Sequence, residues 1–120
     1  MPDCPVLVVD DDPTIRALVT DILEQEGYPV ASAQHGAEAL RIVEHRLIEV
    51  VLLDMRMPVL DGWGFAREVQ ARGMKPRIVV MSAAQDAGRW AAEIRADGYL
   101  AKPFELSELL SAVECQCDAA

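Results

Sequence analysis

The stretch Val6-Leu7-Val8-Val9-Asp10-Asp11-Asp12-Pro13 governs how the chain is read, because four consecutive apolar residues run directly into three carboxylates. Unbroken apolarity, rather than alternation, suits a strand buried on both faces of a parallel sheet, and valine fits such a strand well. Four more short apolar runs follow: Val30 to Ala33, the weakest, then Val50-Val51-Leu52-Leu53, Ile78-Val79-Val80-Met81 and Tyr99-Leu100-Ala101. Helix-period segments separate them. Ile15, Leu18, Val19, Ile22 and Leu23 recur at the spacing of one helical face, with Asp12 as cap, Pro13 in the first turn and Gly27 beyond the end. A second helix carries Leu40, Val43 and Leu47, and a third runs from about Trp63 to Ala71. Trp90 and Ile94 mark a short fourth, and Leu106, Leu109, Leu110 and Val113 a fifth. The pattern predicts a single (βα)5 domain over residues 1–120, a doubly wound five-stranded parallel sheet with helices on both faces.

In such folds ligands sit at the carboxyl ends of the strands, so the residue that ends each apolar run carries the functional information. The first run ends in Asp10-Asp11-Asp12, the third in Asp54, the fourth in Ser82 and the fifth in Lys102. If the first and third strands are neighbours, the carboxylates of Asp10, Asp11 and Asp54 converge. Like charges that close need a positive partner. Lys102 supplies one charge and a hard divalent cation two; Mg2+ fits, since it takes a few carboxylate oxygens and leaves positions for a phosphoryl oxygen. No His or Cys stands near these strand ends, which argues against zinc. Carboxylate nucleophile, cation, ammonium and hydroxyl together suit phosphoryl transfer, in which positioning and charge neutralisation do most of the catalysis.

Composition sets the bounds. The 120 residues hold 20 acidic and 11 basic side chains, a net charge of −9, which argues against direct contact with nucleic acid and disfavours anionic membranes. No apolar run approaches the roughly 18 residues of a membrane span, and the first residues lack a signal-peptide layout, so a cytoplasmic protein is expected. Cys4, Cys115 and Cys117 form neither an even disulfide framework nor a pair of metal claws, and reduced thiols are expected, with Cys115 and Cys117 incidental and exposed.

Taken together and in order, these segments resemble the receiver domain of two-component response regulators. Val8-Val9-Asp10-Asp11 resembles that family's acidic pair, and Asp54-Met55-Arg56-Met57-Pro58 with Asp61-Gly62 its phosphoacceptor segment. Met81-Ser82-Ala83 resembles its hydroxyl position, and Tyr99-Leu100-Ala101-Lys102-Pro103-Phe104 its lysine segment. The resemblance implies a flavodoxin-like strand order 2-1-3-4-5 and a switch that is not a classical enzyme. Asp54 would accept a phosphoryl group from a phosphohistidine of a sensor histidine kinase or a histidine phosphotransfer protein. Asp11, Asp54 and the Arg56 backbone carbonyl would hold Mg2+, with Asp10 acting directly or through water. Lys102 would pair with Asp54 and then with the phosphoryl group, Ser82 would move toward it, and Tyr99 would rotate inward behind it. Pro103 would follow the lysine through a cis bond. Output would be protein binding through helix four, strand five and helix five, by a monomer or weak homodimer.

Three departures stand out: the short fourth helix with Gly88 inside it, Arg95 where relatives often end that helix with glycine, and Arg56 with Ala84 at positions that tune phosphate lifetime in the family. Outside the acidic rim, Asp12 and Asp61 read as caps, Trp63 and Trp90 as packing or partner-face residues, and His35 and His45 as solvated. Only Glu114 to Ala120 follow the fifth helix, too little for an effector, so the chain is either a single-domain regulator or a receiver cut from a longer regulator or hybrid kinase. Two rival functions are a Mg2+-dependent phosphatase, disfavoured because Arg56 stands where its second carboxylate belongs, and a phosphorylation-independent binding module, disfavoured because no acidic residue or lysine is missing.

Overall fold

Five strands and five helices alternate along the chain in a computed structural model, which describes residues 3–118. The strands are β1 (Val6–Val9), β2 (Val30–Ala33), β3 (Val50–Asp54), β4 (Arg77–Ala83) and β5 (Gly98–Lys102). The helices are α1 (Pro13–Gln25), α2 (Gly36–His45), α3 (Gly62–Ala71), α4 (Ala84–Ile94) and α5 (Leu106–Asp118). All pairings are parallel and the order is β2-β1-β3-β4-β5, so β1 and β3 are neighbours as the convergence of their carboxylates requires.

The two-residue period of the strands divides the core. Leu7, Val9, Val51, Leu53, Ile78 and Val80 face α2, α3 and α4, whereas Val6, Val8, Val50, Leu52, Val79 and Met81 face α1 and α5. Both faces are therefore apolar, which is why the runs never alternated in sequence.

Several local expectations are corrected. Helix α4 has 11 residues and is not short. It buries Ala87, Trp90, Ala91 and Ile94 at one-face spacing, and two of these are alanines too small to signal amphipathicity. Helix α2 ends at His45, which leaves Leu47 outside it and 77% exposed. His35 is a cap rather than a solvated side chain, its Nδ1 accepting from the Glu38 N–H at 3.2 Å. Asp12 and Asp61 cap α1 and α3 as expected.

Arg95 takes the left-handed conformation, with φ 56° and ψ 44°. Its N–H donates to the Ala92 carbonyl and the next N–H, of Ala96, to that of Ala91, closing the paired bonds that commonly end a helix around glycine. A Cβ is disfavoured there. Replacing Arg95 with glycine is expected to stabilise the fold by about 0.5–1 kcal/mol, the relief of backbone strain less the greater freedom of glycine when unfolded. Urea denaturation measures it, and a variant less stable than the parent would contradict this account.

The expectation of reduced thiols is also corrected: Cys4 and Cys117 form a disulfide, with Cα atoms 5.9 Å apart across 113 residues of sequence. Helix α5 starts at the carboxyl rim of the sheet and, at 13 residues, is about 20 Å long. It therefore returns the chain to the amino rim, where Cys4 leads into central strand β1. Cys115 stays free and exposed.

Candidate functional site

The carboxyl rim of the sheet gathers the residues singled out above. Asp10, just past the end of β1, is completely buried, and its N–H donates to the Ala33 carbonyl of β2. Its carboxylate accepts from the Asp12 N–H at 3.0 Å and from Lys102 Nζ at 2.9 Å. Asp54 ends β3 and is 9% exposed. Lys102 Nζ lies 3.9 Å from its Oδ1, so one ammonium serves both buried acids but sits closer to Asp10. Carboxylate oxygens of Asp10, Asp11 and Asp54 lie within 4.8 Å of one another. Three acids thus converge where one lysine pairs with two of them.

The electrostatic consequence falls on Asp54. Burial pushes its carboxyl up from the ordinary 3.8 to about 7, and the Asp10 charge and a hydrogen bond with Asp11 push the same way. Lys102 and the Arg56 backbone N–H oppose the rise without cancelling it. A hard divalent cation would reverse that balance, and acid-only oxygen donors in this number are the set such an ion takes.

The loop from Met55 to Asp61 is held tightly under the site. The Gly62 N–H donates to the Met55 carbonyl at 3.0 Å, and a Cβ at Gly62 would stand 2.5 Å from Met55 Sδ and 2.8 Å from Met55 Cα, so glycine alone permits this approach. Val59, at φ 70° and 78% exposed, is a β-branched residue in a region such residues rarely enter.

Ser82 lies within β4, 8% exposed, one step beyond the residue that pairs with Asp54. The Lys102–Pro103 bond is cis. Tyr99 does not join the acids. It is 58% exposed, on β5, and Gly88 of α4 leaves room for its ring, which would lie 3.5 Å from a Cβ there. Two contacts escaped the sequence reading. Arg16 Nη1 donates to the Asp10 backbone carbonyl at 2.7 Å, tying α1 to the rim, and Arg56 extends to Trp90 of α4. Arg16 occupies the polar side of α1, where periodicity carries no information about its partner.

Residues 6–114 match the family model of the response regulator receiver domain. The chain belongs to this family. It is 39% identical over 108 residues to the response regulator MprA of a Mycobacterium species and 40% identical over 111 residues to the transcriptional regulatory protein PrrA of Mycobacterium tuberculosis. These matches take in 88% and 91% of the chain but only 47% and 48% of those relatives, so the chain spans about half their length. Among solved structures, a Francisella response regulator receiver domain matches with a TM-score of 0.89 at 27% identity, covering 98% of each chain. The response regulator TrrA of Thermotoga maritima, solved in complex with Mg2+-BeF, matches with a TM-score of 0.83 at 31% identity, over 94% of this chain and 98% of that one. Response regulator receivers are signalling domains, not classical enzymes, and the five-stranded order found here is theirs.

Proposed function

We propose that residues 1–120 act as one receiver domain that takes a phosphoryl group onto Asp54 from a phosphohistidine of a sensor histidine kinase or a histidine phosphotransfer protein. The observation that carries this reading is the convergence of Asp10, Asp11 and Asp54 beside Lys102 on one strand rim. An Asp54 oxygen attacks phosphorus as the bond to the imidazole nitrogen breaks, leaving neutral histidine on the donor and an acyl phosphate here. Asp11, Asp54 and the Arg56 backbone carbonyl would hold Mg2+, with Asp10 acting directly or through water. When bound, that ion would draw off charge on the phosphoryl oxygens and keep Asp54 ionised.

Lys102, 3.9 Å from Asp54, would pair with a phosphoryl oxygen, and Ser82, on the adjacent strand, would donate a hydrogen bond to another. Movement of Ser82 would open the space behind it to Tyr99, whose exposed ring lies over Gly88. The exchange would reshape the face formed by α4, β5 and α5, which we assign to a downstream protein target. A cytoplasmic site of action, in a monomer or weak homodimer, belongs to the same reading, and the Cys4–Cys117 bond would then have to persist in a reducing compartment. Because PrrA is named a transcriptional regulatory protein and the chain spans only half of it, DNA contact by the whole protein would fall to a segment outside this acidic domain.

Incubation with Mg2+ and acetyl phosphate tests the proposal by intact mass. One phosphoryl adduct is expected, absent from Asp54→Asn. An adduct that persists in that variant would move the acceptor elsewhere, and repeated turnover of phosphoesters would favour a phosphatase.

A further inference from the structure

The side chain of Arg56 leaves the acidic site. Its guanidinium carbon lies 5.1 Å from the centroid of the Trp90 indole, although its own backbone N–H donates to Asp54. Among the described residues no ion pair joins Arg56 to a carboxylate. Arg89 also approaches the ring, at 5.8 Å, but Asp86 holds that second guanidinium. Trp90 is 6% exposed and meets Trp63 of α3 edge-on, with centroids 5.0 Å apart and planes at 68°. Trp63 Nε1 donates back to Glu93 of α4 at 2.9 Å. An aromatic platform between α3 and α4 thus faces a long cationic side chain whose backbone stands two residues from Asp54.

We propose that Trp90 is a positioning residue for chemistry at Asp54: its ring holds the Arg56 guanidinium at the mouth of the acidic site, and a phosphoryl group on Asp54 takes the guanidinium from the ring. The inference rests on the phosphoacceptor reading and adds a second route from the site to α4, separate from Ser82 and Tyr99. Its direction follows from relative strengths. A cation over an indole face is attracted modestly at a partly exposed position, whereas a guanidinium on phosphoryl oxygens makes shorter, charge-assisted hydrogen bonds. The ring and the phosphoryl group therefore compete for one cation.

The competition has a consequence for lifetime. Hydrolysis needs a water that approaches phosphorus in line with its bond to Asp54. A guanidinium hydrogen-bonded to the phosphoryl oxygens at the mouth of the site stands in the way of that water and so slows the loss of the acyl phosphate. Removing the ring frees Arg56 for the phosphoryl group and lengthens the lifetime; removing the guanidinium shortens it and leaves the ring with nothing to position.

The test follows the decay of the acyl phosphate by intact mass after the donor is removed, in the parent, Trp90→Leu, Trp90→Phe, Arg56→Gln and the Trp90→Leu/Arg56→Gln double variant. Trp90→Leu is expected to lengthen the lifetime about two- to fivefold, the range a single cation–π contact covers. Trp90→Phe, which keeps a weaker π face, is expected to fall between parent and Trp90→Leu. In the Arg56→Gln background Trp90→Leu is expected to change nothing. An equal effect in both backgrounds would reduce Trp90 to packing and overturn the proposal, as would no effect in either. Should Trp90→Leu fail to fold by circular dichroism, the change in tryptophan emission on adding Mg2+ and beryllium fluoride decides: it is expected to shrink at least twofold in the surface variant Arg56→Gln, and an unchanged response overturns the proposal. A parent protein that takes no phosphoryl adduct would bring down the phosphoacceptor reading and this inference together, and the mass shows that before any variant is compared.

Discussion

Reduction of the Cys4–Cys117 bond is expected to lower stability by roughly 3–5 kcal/mol and the melting temperature by on the order of 10–20 °C, among the largest effects anticipated for this chain. The bond joins residues 113 apart, so it constrains nearly the whole unfolded chain, and the entropy it removes from that state grows with the closed length. Its position adds to the effect: Cys4 is 4% exposed and packs in the core layer that holds Leu23, Leu109 and Val113, so the link fastens the end of α5 to the entrance of central β1. Thermal unfolding with and without a thiol reductant measures the drop. Cys4→Ala, Cys117→Ala and the double variant should fall together, because either substitution breaks the one bond, while Cys115→Ala should match the parent. Additive losses in the two single variants, or a melting temperature indifferent to reductant, would show that the link contributes little.

What could be read from the sequence, and what could not, divides along physical lines. Periodicity reports how a residue sits on its own element, so the five strands and the two-faced burial of Val6 to Val9 and Val50 to Leu53 were legible. So was the acidic rim, because strand ends in a parallel sheet fall on one edge whatever the loops do. Helix α4 was read as short because Ala87 and Ala91 pack without much hydropathy. The disulfide was missed for a different reason: pairing depends on where two chain ends meet in space, and three cysteines alone do not specify that. Contacts made by long polar side chains were invisible for the same reason, which is how Arg16 on Asp10 and Arg56 on Trp90 appeared only in the structure. Tyr99 shows the limit of resemblance: its outward position over Gly88 is one arrangement of a residue expected to have two.

Without a cation, Asp54→Asn is expected to be more stable than the parent at pH 8, by roughly 4 kcal/mol, and the advantage should largely disappear toward pH 4. The folded Asp54 carboxyl titrates at about 7 against an ordinary 3.8, so between those values the folded chain binds more protons than the unfolded one. The parent's stability from this group is full below about pH 4 and is lost as pH rises through 7. Asparagine keeps the hydrogen-bonding shape and removes the titration, so urea midpoints of parent and variant should separate as pH rises. A separation independent of pH would place the cost of Asp54 in packing rather than charge. Mg2+ should act in the opposite sense, because it competes with the proton for the same oxygens: below pH 7 its affinity should fall about tenfold per unit where one proton must leave. Its stabilisation of the parent should accordingly be larger at pH 8 than at pH 6 and small in Asp54→Asn. On the proposed reading the raised carboxyl couples ion binding to acceptor ionisation: near pH 7 about half of the Asp54 carboxyl is protonated without a cation, and Mg2+ would draw it to the ionised, nucleophilic form.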